Sequence, residues 1–356
     1  MQREIGSEKK VFVAMSGGVD SSVTAYLLQG EGYEVTGVFM KVWQPDFIPC
    51  SAEEDRRDAM RVAAKLGIPF ETWNFEAEYK RDVVDYLIAE YRAGGTPNPD
   101  VMCNRHIKFG VFLREALRRG AQHIATGHYA RVKEDRDGFH LLAGSDTNKD
   151  QSYFLYTLGQ EALSRTLFPI GNYTKPEVRA LARRALLPTA EKKDSQGLCF
   201  IGKLDMENFL SHYIPPVRGA VLDARGKSIG EHHGAAYYTI GQRHGFKTRA
   251  HTPHESPYYV IGKDIGTNTL TVSHAPKTKE REVSLRNTSW TLRAPALDKR
   301  YSARLRYRQP LSPCSIRIGS NADAVVTFEK PLPIIPSGQS LVLYDKEECL
   351  GGGVIV

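Results

Sequence analysis

The residues best suited to chemistry in this chain lie in Ser16–Ser22, a short segment with two glycines, three hydroxyl side chains and one acid. It follows the apolar run Val11–Met15, which predicts a buried strand, and it precedes residues with helical spacing. A strand, a glycine-rich turn and a helix N-terminus bring free backbone N–H groups and the positive end of the helix dipole together. The segment therefore predicts a site for phosphate groups.

The spacing within Ser16–Ser22 separates it from two common nucleotide motifs. No Gly-Lys-Ser/Thr follows, as in a Walker A loop, and the third glycine of the dinucleotide fingerprint is missing. The segment instead resembles the SGGxDS loop of ATP-pyrophosphatases, which cleave ATP between its α- and β-phosphates. The hydroxyls of Ser16, Ser21 and Ser22 are candidate phosphate donors. Phosphates repel the Asp20 carboxylate unless Mg²⁺ lies between them, so we interpret Asp20 as a metal or water ligand, with helix capping as the alternative.

Two of the five cysteines have surroundings typical of loops. Cys103 follows two prolines and precedes a predicted helix at Phe109–Arg119, and basic residues are close in sequence. A helix N-terminus and nearby positive charge both lower the pKa of a thiol and favour the thiolate. Cys199 lies between two glycines in a polar segment. For each cysteine a buried structural thiol is the alternative. If both are accessible, one can carry a persulfide and the other can release the sulfur by forming a disulfide.

A basic segment lies near the C-terminus. Residues 281–317 contain nine Lys or Arg and two acids. Within 302–309, strand periodicity places Arg304, Arg306 and Arg308 on one face. Arginines in a row suit the phosphate backbone of a nucleic acid, whereas a solvated sheet face is the alternative.

The elements that must position these residues alternate between strand and helix from residue 11 to about 130. The predicted strands are Val11–Met15, Val35–Lys41, Phe70–Phe75 and His123–Thr126. The predicted helices are Ser21–Gln29, Glu53–Leu66, Glu78–Tyr91 and Phe109–Arg119. This alternation is typical of a doubly wound parallel α/β sheet, which binds ligands at the carboxyl ends of its strands.

The rest of the chain changes character twice. Residues 151–210 are predicted to be helical, with a capping box at Thr174-Lys175-Pro176-Glu177. A hairpin is predicted at Tyr258–Val272, and the alternating pattern from about 281 predicts a small β-barrel. We therefore expect three domains: 1–210 with a parallel sheet and a helical extension, a central β-rich domain at 211–280, and a C-terminal β-barrel that binds RNA at 281–356.

Composition limits the class of protein. The chain has 356 residues, a formal net charge of +7 and an isoelectric point near 9.0, which favour an anionic partner, nucleic acid above all. No apolar run is long enough to span a membrane, and Met1–Lys10 lacks the apolar core of a signal peptide. The five scattered cysteines show no CxxC pair, which is typical of a reducing compartment. We expect a cytoplasmic monomer.

Taken together, the motifs resemble those of the tRNA-specific 2-thiouridylases of bacteria, from about Lys10 to the C-terminus. The resemblance rests on eight motifs in one order: Met15–Ser22, Gly37–Lys41, Asn98–Asn104, Gly127–Ala130, Asp146–Gln151, Ser195–Ile201, Tyr238–Arg243 and Arg306–Gln309. It implies a PP-loop fold of the adenine-nucleotide alpha-hydrolase type. It also implies a transferase that thiolates the wobble uridine of tRNA, using ATP as a substrate, with Mg²⁺ and with the release of AMP and pyrophosphate.

The resemblance also implies roles for individual residues. Cys103 would be the nucleophile, Cys199 the carrier of a persulfide from a cysteine desulfurase or a sulfur-relay protein, and Asp100 a general acid or base. Asn98, Pro99 and Asp100 would meet the target base. The residues implied to hold ATP are Ala14, Met15, Ser16, Gly17, Gly18, Val19, Asp20, Ser21, Met40 and Gly127. The residues implied to contact tRNA are Lys149, Asp150, Gln151, Arg306 and Tyr307. No metal site is indicated apart from Asp20, which would act through Mg²⁺.

Two other classes of function compete with this interpretation. One is an amidotransferase of the same pyrophosphatase class, which often uses an N-terminal cysteine to release ammonia. The chain opens Met1-Gln2-Arg3, so removal of Met1 would expose no thiol. The other is an RNA-binding protein that uses ATP only structurally; the release of AMP and a thiolated tRNA would distinguish the enzyme from it.

Overall fold

The computed structural model describes residues 9–47, 52–193, 206–248, 256–274, 280–332 and 335–356. Cys199 and Cys50 lie outside the described residues, and so does the motif Ser195–Ile201. Among the residues that are described, no helix combines the length and the apolar character needed to cross a membrane.

Helices and strands are numbered along the chain. The strands are β1 (Lys10–Ala14), β2 (Glu34–Lys41), β3 (Phe70–Asn74), β4 (His123–Ala125), β5 (Ala130–Asp135), β6 (Gly138–Ala143), β7 (Thr166–Leu167), β8 (Gly219–Leu222), β9 (Ser228–His232), β10 (Lys247–Thr248), β11 (Tyr259–Asp264), β12 (Thr269–Ser273), β13 (Glu282–Trp290), β14 (Tyr301–Arg304), β15 (Ser312–Ile318), β16 (Ala324–Phe328), β17 (Ser340–Asp345) and β18 (Glu348–Ile355). The helices are α1 (Val19–Gly30), α2 (Ala52–Leu66), α3 (Glu76–Tyr79), α4 (Asp85–Arg92), α5 (Pro99–Met102), α6 (Phe112–Arg118), α7 (Gln160–Ser164), α8 (Lys175–Arg184) and α9 (Met206–Ser211). Wider π-type turns at Lys80–Val84 and Cys103–Val111 join α3 to α4 and α5 to α6.

The first sheet confirms the predicted parallel α/β fold. Its order is β3-β2-β1-β4-β7, and every neighbouring pair is parallel. The residues of β1 are almost entirely buried, because helices cover both faces of such a sheet. The order along the chain reverses beside β1, since β2 and β4 lie on opposite sides of it. A crevice at the carboxyl ends of β1 and β4 is the usual ligand site of this topology.

Two further sheets confirm the β-rich second half. Strands β8 to β12 form a five-stranded sheet that contains the predicted hairpin as β11 and β12. Strands β13 to β18 form a closed antiparallel barrel, because β13 pairs with both β16 and β18. The hairpin of β5 and β6 pairs with β18 and extends the sheet of this barrel. A hairpin from the first half of the chain therefore belongs to the same sheet as the C-terminal strands. The sequence pattern did not predict that attachment.

One helix boundary was predicted wrongly. The helix expected at Phe109–Arg119 begins at Pro99, where Asn98 caps it by accepting a hydrogen bond from the Val101 N–H at 3.4 Å. Two prolines and an asparagine suggested a loop, but Pro at the first helical position after an Asn cap is a favourable start. Cys103 therefore lies beyond the first helical turn, where the helix dipole contributes little.

Candidate active site

The phosphate-type loop after β1 has the geometry of an anion site. Gly17 has φ +73°, and a Cβ there would lie 2.2 Å from the Asp55 carbonyl oxygen, so only glycine fits. The Ser16 N–H donates to Ser21 Oγ at 3.2 Å, which draws the loop over the start of α1. Gly127, after β4, packs so closely that a Cβ would lie 2.7 Å from Ser21 N. The two strand ends therefore meet at α1.

A cavity of about 450 Å³ opens at this junction. Most of the predicted site residues line it: Ala14, Met15, Ser16, Gly18, Val19, Asp20, Ser21, Met40, Asp100, Gly127, Lys149, Gln151 and Tyr307. Six others within the described ranges do not: Gly17, Asn98, Pro99, Cys103, Asp150 and Arg306. The cavity thus brings the loop after β1 together with Tyr307, which follows β14 in the barrel region.

Several wall residues of this cavity are not among the residues predicted for the site. They are Asn104, Lys108, Thr126, His128, Tyr129, Phe154 and Lys193. Asn104 and Lys108 follow Asp100 at four-residue spacing, which was a usable signal once a helix was expected there. Phe154 and Lys193 carried no such signal, because their place in the wall depends on long-range packing.

Asp20 is held by two residues distant in sequence. Lys175 Nζ lies 2.8 and 2.9 Å from its two carboxylate oxygens, and the Tyr129 hydroxyl donates to Oδ1 at 2.8 Å. Lys175 is 9% exposed and begins α8, whose predicted capping box between Thr174 and Glu177 is present. The carboxylate thus already has a cation beside it. No group of three His, Cys, Asp or Glu suited to a metal ion occurs in the described part of the chain.

Ser22 does not face the phosphate site. It is fully buried, its hydroxyl donates to the Gly18 carbonyl at 2.7 Å, and it accepts a hydrogen bond from Thr189 Oγ1 at 2.9 Å. The prediction of a phosphate donor at Ser22 was therefore wrong. Its hydroxyl instead holds the start of α1 to the segment after α8.

A buried histidine orients a positive charge in the cavity wall. His128 Nδ1 lies 2.7 Å from Thr126 Oγ1, and its Nε2 lies 3.4 Å from Lys108 Nζ. Burial, and secondarily the Lys108 charge, hold the pKa of His128 well below its usual range. A neutral ring can accept a hydrogen bond from an ammonium group, so the ring holds Lys108 at the wall.

Cys103 is buried, although its helix neighbours line the cavity. It is 1% exposed and belongs to the main hydrophobic cluster. Asp100 and Asn104, on either side of it in sequence, both face the cavity. The alternative of a buried thiol therefore holds for Cys103 in this conformation, and its predicted place in a loop was wrong because the helix begins earlier than its prolines suggested.

The predicted row of three arginines does not form. Strand β14 ends at Arg304, which is 9% exposed and pairs with buried Asp150 at 3.3 Å. Arg308 has φ +63°, so the chain turns there instead of continuing as a strand. Arg306 and Arg308 remain exposed. The Asp150 carboxylate also accepts from the N–H groups of Gly144 and Ser152, at 3.1 and 3.0 Å, so it faces the protein interior.

The positive charge of the barrel region is largely balanced by acidic side chains, some within the barrel and some in the first half of the chain. Besides Arg304, five of its basic residues have acidic partners: Arg286 with Glu90, Arg293 with Asp137, Lys299 with Asp345, Arg300 with Glu329 and Arg317 with Glu282. Net charge in sequence therefore overstated the free positive surface. Arg306 and Arg308 are the exposed arginines beside the cavity and its neighbouring groove.

Comparison with known proteins shows the family of this chain. Residues 9–203 match the model of the tRNA methyl transferase HUP domain, 207–274 that of the tRNA methyl transferase PRC-barrel domain, and 280–355 that of the aminomethyltransferase beta-barrel domain. A tRNA-specific 2-thiouridylase MnmA of Streptococcus sanguinis (strain SK36) is 48% identical over 357 residues, covering 98% of this chain and 95% of the relative. The chain belongs to the tRNA-specific 2-thiouridylase family.

A second thiouridylase MnmA, from Enterococcus faecalis (strain ATCC 700802 / V583), is 47% identical over 358 residues, covering 98% of this chain and 96% of the relative. The chain is thus a tRNA sulfurtransferase that 2-thiolates uridine. More distant likenesses exist among solved structures. The U34-tRNA thiolase NcsA of Methanococcus maripaludis is 16% identical with a TM-score of 0.38, covering 60% of this chain and 67% of that one. A 4-thiouridine synthetase in an RNA complex with ATP is 21% identical with a TM-score of 0.35, covering 59% of this chain and 52% of that one.

Proposed function

We propose that this thiouridylase modifies the wobble uridine, U34, in an ATP-dependent reaction with two stages. The uridine O2 attacks the α-phosphorus of ATP, pyrophosphate leaves, and the base becomes adenylated at O2. A sulfur nucleophile then attacks C2 and AMP leaves with the original oxygen. The observation that carries this proposal is the shared cavity, in which the loop after β1 and Tyr307 of the barrel region face one space.

The nucleotide is assigned to the sheet side of the cavity. Backbone N–H groups at Gly18 and Val19 and the hydroxyls of Ser16 and Ser21 would cradle the phosphates. The residues proposed to hold ATP are Ala14, Met15, Ser16, Gly17, Gly18, Val19, Asp20, Ser21, Met40 and Gly127. Gly17 acts through its backbone turn, and Gly127 through its close approach to α1.

Mg²⁺ fits this site only as an ion carried by the phosphates. Such ions often use one or two protein carboxylates and fill the remaining positions with phosphate oxygens and water. Asp20 is the acid of the loop that could supply one ligand, in exchange for its contact with Lys175. Bound Mg²⁺ would neutralise charge on the phosphates.

The sulfur transfer is assigned to Cys103 and Cys199. The terminal sulfur of a Cys199 persulfide attacks C2, and loss of AMP leaves C2 joined to Cys199 through a disulfide link. The Cys103 thiolate attacks the Cys199 sulfur, which breaks that link, releases 2-thiouridine and forms a Cys103–Cys199 disulfide. A dithiol reductant restores both thiols. Asp100 lines the cavity and would take the N3 proton of the base during adenylation.

The RNA is assigned to the barrel side of the cavity, with Asn98, Pro99 and Asp100 at the target base. Lys149, Gln151 and Tyr307 line the cavity, and Arg306 lines a neighbouring groove of about 580 Å³. Asp150 holds the segment that carries Lys149 and Gln151 in place through its ion pair with Arg304.

We further propose a cytoplasmic monomer with domains at 1–210, 211–280 and 281–356. A cysteine desulfurase or a sulfur-relay protein would supply the persulfide.

The reaction is tested with purified protein, ATP, a persulfide donor and a tRNA that has uridine at position 34. We expect AMP and a tRNA band retarded in a mercury-containing gel, both dependent on all components. A tRNA with guanosine at position 34 is the matched control. AMP without retarded tRNA, or retarded tRNA without AMP, would contradict the proposal.

The exposed arginines predict how binding depends on salt. Arg306→Gln and Arg308→Gln should each reduce the slope of log Kd for tRNA against log salt concentration by about 0.7–0.9, the value for one phosphate contact. Arg300→Gln is the matched control, because Arg300 lies in the same region, is highly exposed and pairs with Glu329. If the slopes for Arg306→Gln and Arg308→Gln equal the slope for the wild-type protein, neither arginine meets a phosphate.

The burial of Cys103 predicts slow alkylation. In the protein without tRNA, iodoacetamide should label Cys103 as slowly as Cys314, which is 2% exposed, and at least ~100-fold more slowly than a free thiol. Mass spectrometry of the cysteine peptides over time gives both rates, and protein unfolded in urea supplies the fully accessible reference. Rapid labelling at Cys103 alone would show that the thiol reaches solvent without RNA.

A further inference from the structure

One buried polar atom in the cavity wall has no hydrogen-bond partner among the described residues. Asn104 is 2% exposed, and its Nδ2 donates to the Phe154 carbonyl at 3.1 Å. That bond fixes the orientation of the amide, because the reverse orientation would place two oxygens against each other. The other atom, Oδ1, has no hydrogen-bond partner in the described part of the chain. Buried acceptors are normally satisfied, so this one points to a ligand.

The surroundings of Asn104 place that ligand on the RNA side of the cavity. The helix that carries Asn104 also presents Asp100 and Lys108 to the same space. Phe154, which accepts the amide N–H, packs against Tyr307 with ring centroids 4.6 Å apart, and both rings line the cavity. The two rings are tilted by 46° to each other, and either ring offers an apolar face against which one base could pack. A base on that surface would turn its polar edge toward Asp100 and Asn104.

We propose that Asn104 is a specificity residue that accepts the N3–H of the target uracil and thereby rejects cytosine. Oδ1 can only accept, and N3–H is the one donor on the uracil edge. Cytosine has an acceptor at N3, so the same pose would set two acceptors against each other. A site built on such a hydrogen bond rejects the analogue that lacks it, because its own buried group stays unpaired.

This inference rests on the proposed function and assigns Asn104 a task different from that of Asp100. A neutral amide oxygen holds N3–H in the unreacted base without removing the proton. The carboxylate of Asp100, one helical turn earlier, takes the proton when O2 attacks phosphorus. Recognition and proton transfer therefore fall to two residues of one helix.

The test compares thiolation of anticodon stem-loops that have uridine or cytidine at position 34 and are otherwise identical. Both bases carry an O2 that can be adenylated, so the comparison isolates recognition of the base edge that includes N3. For the wild-type protein we expect kcat/KM for uridine to exceed that for cytidine by at least ~100-fold. Asn104→Ala and Asn104→Leu should each reduce this ratio by about 10- to 100-fold, mainly through loss on uridine. Leucine keeps the volume of the side chain, which guards against collapse of the wall.

Two controls keep the outcome decisive. His106→Ala alters the same helix at a half-buried residue that does not line the cavity, and it should leave the ratio unchanged. Each variant is also assayed with purine riboside triphosphate, which lacks the adenine amino group. Where turnover is too slow to measure, the ratio of Kd values for the two stem-loops replaces the ratio of kcat/KM values.

Several results would overturn the inference. Equal losses on uridine and cytidine would make Asn104 structural, and loss of discrimination between ATP and the purine analogue would make it a reader of adenine. A wild-type protein that thiolates both bases equally would reject the inference while leaving the proposed function intact. No thiolation of uridine at all would instead reject the proposed function.

Discussion

Cys103→Ser and Cys199→Ser should each abolish thiolation from a persulfide donor, lowering the rate by at least ~10³-fold, because serine neither carries a persulfide nor attacks one. Pyrophosphate release should persist in both variants in a single turnover, since adenylation precedes the sulfur step. Rates come from retarded tRNA and radiolabelled pyrophosphate measured in the same reaction. Loss of thiolation with pyrophosphate release retained would place both thiols after the adenylate.

Free sulfide tests whether both cysteines act only in sulfur delivery. Supplied as the donor, it should restore thiolation to Cys199→Ser and Cys103→Ser alike, because sulfide can attack C2 of the adenylated base directly and leaves no disulfide link to break. Failure of sulfide to restore either variant would show that the replaced cysteine does more than carry or release the persulfide sulfur. Cys314→Ala and Cys349→Ala are the controls; both residues are buried in the barrel region, and burial raises the pKa of each thiol, to about 12 for Cys314. Both variants should remain active.

Asp20→Ala should lower the rate of AMP formation by at least ~100-fold while changing the Kd for tRNA by less than about 2-fold. The carboxylate is held by Lys175 and Tyr129 at the phosphate loop, so its loss removes the negative charge beside a nearly buried ammonium group. Breaking such a pair also costs about 3–5 kcal/mol of folding free energy when it is fully buried, and less here because Asp20 is 31% exposed. Nucleotide turnover and thermal unfolding are therefore measured together.

A double variant separates stability from chemistry. Asp20→Asn with Lys175→Met removes both charges and should recover most of the lost stability without recovering AMP formation. Recovery of AMP formation would show that the pair is only structural. Arg183→Met is the matched control, because Arg183 lies on the same helix in an exposed pair with Glu191. If Asp20 also meets Mg²⁺, Asp20→Asn alone should require more Mg²⁺ for half its maximal rate.

The sequence predicted the parallel sheet and its ligand edge well, because both depend on local patterns. Buried apolar runs, the glycines at 17 and 18 and the helix spacing after them are all readable within a few residues. The hairpin at β11 and β12 and the capping box of α8 are equally local. These features needed no knowledge of distant contacts.

The predictions that were wrong concern residues whose partners are far away in the chain. Arg304 looked like a surface arginine until Asp150 was found beside it, and Lys175 gave no sign of its contact with Asp20. Cys103 was predicted to lie at or near a helix N-terminus because Asn98-Pro99 was interpreted as part of a loop when it is a helix start. Charge and burial at a site are thus set by packing that periodicity does not encode.

The account rests on the claim that the uridine O2 is adenylated, and an isotope label tests it most directly. A stem-loop with ¹⁸O at O2 of the target uridine is thiolated in unlabelled water, and the AMP is analysed by mass spectrometry. The account predicts one ¹⁸O atom in the phosphate of AMP for each 2-thiouridine formed. Thiolated RNA accompanied by AMP without the label would contradict it.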